Sequence, residues 1–186
     1  PGEKELFGRG VATCAVCDAP FYKDKTAAVV GGGDAACEDA LALTKFAKEI
    51  YLIVRRDQLR ASKIMQDRVK KKPKIKIIWN SQVTKIIGEK KLEAIVINNT
   101  ETIKTDGLFL AIGHKPATEV FKGQIELDEK GYIKTGLADY PTMTSINGIF
   151  AAGDVVDFRY RQAVTAAGMG CQAAIDAEKW LENRDL

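Results

Sequence analysis

The chain has 186 residues, and 28 lysines and arginines against 25 aspartates and glutamates leave a formal charge of +3. Its 46% hydrophobic and 28% charged residues are ordinary for a globular protein. The apolar stretches, Gly107 to Gly113 among them, are too short to span a bilayer, the small dispersed charge gives no case for nucleic acid, and the four cysteines are too few for a disulfide scaffold.

The opening residues, Pro1-Gly2-Glu3-Lys4-Glu5, lack the basic and then apolar pattern of a signal peptide, so a cytoplasmic location is expected. Cys14-Ala15-Val16-Cys17 is a C-x-x-C followed directly by Asp18. From Lys25 the chain reads Thr-Ala-Ala-Val-Val, then Gly31-Gly32-Gly33-Asp34-Ala35-Ala36, then an alanine-rich stretch predicted helical from about Cys37 to Ala47. The apolar run from Ile50 to Val54 follows and stops at Arg55-Arg56, completing a strand, glycine turn, helix and strand of βαβ size. Ser62 to Lys71 is predicted as a helix ending before Pro73, and Ile75 to Trp79 as a strand.

The texture then changes. Val83 to Ile87, Leu92 to Ile97 and Thr102 to Lys104 are short β-branched segments separated by Gly88-Glu89-Lys90 and Asn98-Asn99-Thr100, which predicts an antiparallel meander. Gly107 to Ile112 is a fully apolar strand closing at Gly113. Beyond it the spacing predicts a hairpin over Gln124 to Thr135, a strand over Gly148 to Ala152 and a closing helix over Gln162 to Leu181 with alanine and glycine on its packing face. This tail is too thin to build a core by itself.

Three motifs carry chemistry. Gly31-x-Gly33-x-x-Ala36 after a strand and opening a helix supplies a tight turn, bare backbone for a pyrophosphate and a small residue for helix–strand contact; Asp34 and Ala35 in that turn join the expected nucleotide site. An NAD site would carry a carboxylate at the end of the second strand, whereas Arg55, Arg56 and Arg60 stand there and suit a 2′-phosphate, so NADPH is expected. Cys14 and Cys17 can close a small reducible disulfide, with Asp18 placed to shuttle a proton. No second cysteine pair accompanies them, so no metal site is expected. Cys37 and Cys171 read as small buried side chains, and Trp79 and Trp180 as packing residues. Lys70-Lys71-Lys72-Pro73-Lys74 reads as a solvated helix end, and Asn98-Asn99-Thr100 as a turn rather than a glycosylation site.

Taken together, GRGVATCAVCDAPFY, VVGGGDAACEDAL, VRRDQLRASKIM, FLAIGHKPAT and GIFAAGDVVDFRYRQAVTAAGMGCQAA resemble, in the same order, the low-molecular-weight thioredoxin reductases, a family of flavoprotein disulfide reductases. The resemblance implies an α/β fold: a Rossmann-like three-layer NADPH-binding domain with a β meander and the redox C-x-x-C over residues 1–113. Residues 114–186 would then be the C-terminal segment of a discontinuous FAD-binding domain whose first half, with its own glycine fingerprint, lies outside this chain. It also implies roles: Cys17 facing the flavin, Cys14 exchanging with thioredoxin, and Asp18 donating a proton. Gly31, Gly33, Arg55, Arg56 and Arg60 would hold NADPH, with Ile112 and Gly113 beside the cofactor. Gly153 and Asp154 would hold the flavin's ribityl and phosphate region, with Arg161, Gln162 and Ala163 against its ring. Val54 departs from the histidine common in the family. The implied partners are thioredoxin and, in the intact enzyme, a second copy, with no nucleic acid and no membrane. The competing readings are the flavoprotein subunit of an alkyl hydroperoxide reductase, against which the arginine pair argues, and a non-catalytic NADPH-binding module.

Overall fold

The computed structural model describes residues 1–136 and 140–184, and the chain divides into two units, Pro1–Gly113 and His114–Leu186. The first unit contains β1 (Val11–Ala12), β2 (Thr26–Val30), β3 (Glu49–Ile53), β4 (Ile75–Ile78), β5 (Val83–Ile87), β6 (Ala94–Ile97), β7 (Glu101–Lys104) and β8 (Gly107–Leu110). Its helices are α1 (Glu3–Leu6), α2 (Ala15–Asp18), α3 (Asp34–Leu43) and α4 (Lys63–Lys70), and α5 (Ala163–Glu182) lies in the second unit.

Five strands form a parallel sheet in the order β1-β8-β2-β3-β4, with Ala28 registered against Tyr51 on one side and Leu108 on the other. The continuous apolar runs of β2, β3 and β8 follow from burial on both faces. Ala27, Val29, Ile50, Leu52 and Phe109 face a cluster completed by Ala36, Cys37, Ala40 and Leu43 of α3 and by Met65 and Val69 of α4. The alternate residues Ala28, Ile53 and Leu108 face Leu92, Ile95, Ile97 and Ile103 of the β5-β6-β7 antiparallel meander. The order is helices, parallel sheet, meander. Each fully buried Leu, Ile or Phe on these faces contributes on the order of 2 kcal/mol.

Element ends shift where local chemistry decides. The helix expected from Cys37 starts at Asp34 with Gly33 as its N-cap, and it stops at Leu43 rather than Ala47. Two carbonyls beyond its end, Thr44 O and Ala47 O, accept from Lys74 Nζ at 3.1 and 2.8 Å. The Asn98-Asn99-Thr100 turn stands as expected, with Asn98 and Asn99 both left-handed at φ 51° and 61°.

The second unit departs further. The expected hairpin reduces to a single bridge between Leu127 and Ile133 around a turn in which Asp128 Oδ1 accepts from Lys130 N and Tyr132 N. The expected strand at Gly148 to Ala152 is likewise one bridge, Met143 to Phe150. A strand needs a partner ladder, and the described residues supply none there. Helix α5 forms as expected, opened by Gln162 in a reciprocal cap with Thr165, yet none of its residues is buried. The alanine face is only half covered: Ala166, Ala173 and Ala177 are half-buried, and Ala166 lies against Gly153. Cys171, expected to be buried, stands exposed on α5, whereas Cys37 is buried. No helix of the described residues is long and apolar enough to cross a membrane.

Candidate functional site

The glycine turn sits at the carboxyl end of β2. Gly31 has φ +150°, and a Cβ there would collide with the Ala111 carbonyl oxygen and lie 2.8 Å from Ala36 Cβ. Ala36 is thus the small residue that lets α3 close on the turn. Gly33 has open space where a side chain would stand, leaving bare backbone at the start of α3. Ala35 is exposed in the first turn beside it. Asp34 is engaged: its Oδ1 accepts from Ser62 N at 2.8 Å and Ser62 Oγ at 2.9 Å, tying the opening of α3 to that of α4.

The arginine segment folds back onto the same turn. Arg60 N and Ala61 N both donate to Gly32 O, at 2.7 and 3.0 Å. Arg55, Arg56 and Arg60 are exposed, and their guanidinium groups form no ion pair or hydrogen bond among the described residues. Gly31, Gly32, Arg55, Arg56, Arg60 and Ile112 line one cavity of about 530 Å³. Its apolar wall includes Val30, Ile53 and Leu110, so it offers a greasy floor and a cationic rim. That arrangement suits a nucleotide with an anionic substituent. Gly113, just past Ile112, has φ +110° and open space beside it.

Cys14 and Cys17 are joined in a disulfide at the opening of α2, with Cys14 half-buried and Cys17 exposed. Cys14 is the N-cap and its Sγ accepts from Cys17 N at 3.2 Å. Ala15, between them, is wholly buried against the cluster under α3. The Ala15 N–H donates to the Asp39 carboxylate of α3. Burial pushes the Asp39 carboxyl up to about 6, the Ala15 N–H opposes that rise, and the Glu38 charge adds to it. Asp18, half-buried at the end of α2, lies close enough to Tyr22 to help raise that phenol, after the larger effect of burial. Residue patterning did not mark Asp39: it reads as one more polar position on an alanine-rich helix. Among the described residues no cluster of His, Cys, Asp and Glu could hold a metal.

Neither cysteine nor Asp18 lines that cavity. Within the first unit the disulfide sits against α3 on the helical side, while the cavity opens between the glycine turn, the arginine segment and the meander.

In the second unit, Gly153 has φ +79°, with Ala166 Cβ 3.5 Å from where its own side chain would begin, and Asp154 is exposed beside it. Arg161, at φ 50°, Gln162 and Ala163 form the entry to α5. Asp157, unmarked in the sequence reading, organises that entry. Its buried carboxylate accepts from Arg159 N, Tyr160 N and Arg161 N at 2.7 to 2.8 Å. Burial disfavours its charge, yet these donors together with Thr165 outweigh it and hold the carboxyl below its ordinary range. The only sequence signal for it was an aspartate four residues before a left-handed arginine. That conformation is not readable from composition.

Comparison with known proteins fits this geometry. The family model of the pyridine nucleotide-disulphide oxidoreductases matches residues 1–170. The chain belongs to that family. A thioredoxin reductase of Streptomyces clavuligerus is 54% identical over 186 residues, covering 97% of this chain and 57% of that protein. A thioredoxin reductase of Mycolicibacterium smegmatis is 49% identical over 190 residues, covering 100% of this chain and 60% of that one. The crystal structure of thioredoxin reductase from Streptococcus pyogenes matches with a TM-score of 0.89 at 42% identity, over 98% of this chain and 61% of that chain. The chain spans less than two thirds of the length of these relatives.

Proposed function

We propose that this chain supplies the NADPH-binding and dithiol parts of a thioredoxin-disulfide reductase. Residues 1–113 are the NADPH domain with the redox pair, and residues 114–186 are the C-terminal segment of the FAD domain, with residues 137–139 and 185–186 outside the described part. One observation carries the reading: a C-x-x-C disulfide and a glycine-turn nucleotide cavity rimmed by arginines occupy the same folded unit without meeting. Electrons that enter through the nicotinamide must therefore be handed on before they reach sulfur.

FAD, when bound, supplies that two-electron relay. The residues of the second unit suit it: Gly153 presents bare backbone, Asp154 an exposed carboxylate, and Arg161, Gln162 and Ala163 a rigid entry loop braced by Asp157. The chain's own residues do the rest. Arg55, Arg56 and Arg60 bind the 2′-phosphate, and Gly31 and Gly33 admit the pyrophosphate to the N-terminus of α3. An electron pair delivered to the Cys14–Cys17 disulfide breaks its S–S bond, and Asp18 supplies a proton to the departing thiolate. The dithiol then gives that pair to a substrate disulfide through a mixed disulfide, and Cys14–Cys17 closes again. Thioredoxin is the proposed acceptor because the relatives bear its name, and a homodimer and a cytoplasmic setting belong to the same proposal.

The dithiol step is testable without flavin. The chain is reduced, freed of reductant and mixed with oxidised thioredoxin, and thiols on each partner are counted. The expected result is loss of the pair from this chain and gain of a pair on thioredoxin, absent in Cys14→Ser. No more transfer than the variant gives would refute the reading.

A further inference from the structure

We propose that Asn98, on the turn between β6 and β7, is the positioning residue that holds the arginine segment in shape for a 2′-phosphate. The inference rests on the nucleotide reading above. Asn98 makes three side-chain bonds, all to the segment following β4. Its Oδ1 accepts from Gln82 N at 3.0 Å, and its Nδ2 donates to Asn80 O at 3.2 Å and to Ser81 Oγ at 3.4 Å. Its own backbone N donates to Gln82 O at 3.0 Å. This approach needs the left-handed backbone, φ 51°, that asparagine adopts readily.

The segment so held is itself bonded to the arginines. Asn80 N donates to Arg56 O at 3.2 Å, and Ser81 N donates to Val54 O at 3.0 Å. The backbone of Arg55 and Arg56 is therefore pinned on both flanks. It lies beyond the last registered pair of β3 with β4, Ile53 with Ile78, so no ladder supports it. The chain of bonds runs from Asn98 through Asn80 and Ser81 to Val54 and Arg56. Ser81 and Gln82 line the same cavity as the arginines. Fixing this backbone lowers the ordering cost of a bidentate guanidinium contact, because that geometry tolerates little drift. The effect acts on the phosphate that distinguishes NADPH from NADH, and not on the groups the two share.

The test is direct nucleotide binding by the full chain, read as the ratio of NADH to NADPH dissociation constants. Asn98→Gly keeps the left-handed backbone and removes only the side-chain bonds. Asn99→Gly, at the neighbouring left-handed position, φ 61°, is the control. In Asn98→Gly the NADPH constant is expected to weaken about three- to tenfold with NADH unchanged, in keeping with the loss of a few exposed hydrogen bonds. Asn99→Gly is expected to leave the ratio intact. If the wild-type protein discriminates and Asn98→Gly discriminates equally, or if both constants move together, Asn98 is a structural residue only and the inference is overturned. If the wild-type protein binds both nucleotides alike, the nucleotide reading fails and this inference falls with it.

Discussion

Asp39 is a single carboxylate whose position has consequences for pH. It is partly buried on α3 against the Ala15 N–H, and burial places its titration at about 6 rather than near 3.8. A carboxyl raised on folding favours the fold while protonated. Its stabilising share is fully present below the ordinary value, near pH 4, and is lost as pH rises through about 6. Asp39→Asn keeps the shape and the acceptor oxygen and removes the charge. It is expected to raise stability by about 1–2 kcal/mol at pH 8, after discounting for partial exposure, and to change nothing at pH 4. Urea unfolding of both proteins at the two pH values checks this; equal gains at both would mean that charge is not the cause. At the same scale, Cys37 and Cys171 show how neighbours decide fate: the Cys37 thiol is pushed up to about 11, first by burial and then by Asp34 and Glu38, while Cys171 stands in solvent.

At the scale of elements, Gly148 in the second unit allows α5 to be fastened at its end. Its φ is +81°, and a Cβ there would lie 2.5 Å from Trp180 Cη2. Trp180 also donates from Nε1 to Asn147 Oδ1 at 2.8 Å and meets Phe150 edge to face. Higher up the helix, the Asp176 carboxylate accepts from Thr142 N and Thr142 Oγ1 at 3.1 and 2.7 Å. Gly148→Ala combines a left-handed backbone with a collision, and about 1–3 kcal/mol of local destabilisation is expected. Hydrogen exchange should accelerate in Ala163–Glu182 and stay unchanged in Thr26–Val30; acceleration in both would contradict the local account.

The same elements explain what the residues alone disclosed. The βαβ unit was legible because β2, β3 and β8 are buried on both faces and read as unbroken apolar runs between glycine and arginine punctuation. The meander was legible from its turn residues. The start of α3 was missed by three residues because a glycine N-cap offers no side-chain signal, as the structure places it at Asp34 rather than Cys37. Gly148 to Ala152 read as a strand because it is apolar, but apolarity states only that a surface will be covered. It does not name a pairing partner. The loops that shape the candidate sites were invisible for two reasons: the left-handed Asn98 bonds backbone far along the chain, from Asn80 to Gln82, whereas Asp157 closes a local turn whose left-handed Arg161 no side-chain pattern announces.

Across the molecule, the two units differ in completeness. Both large apolar clusters belong to Pro1–Gly113, whereas α5 leaves Val164 83%, Ile175 44% and Leu181 57% exposed. The first unit thus has the core to hold a ligand site by itself. The decisive measurement is a calorimetric titration of the 186-residue protein with adenosine 2′,5′-bisphosphate and, separately, with 5′-AMP. The bisphosphate is expected to bind at least about tenfold more tightly, with the advantage falling as salt is raised and vanishing in Arg55→Ala/Arg56→Ala. Equal affinity for the two ligands in the wild-type protein would contradict that expectation, because the arginine rim would then read no 2′-phosphate.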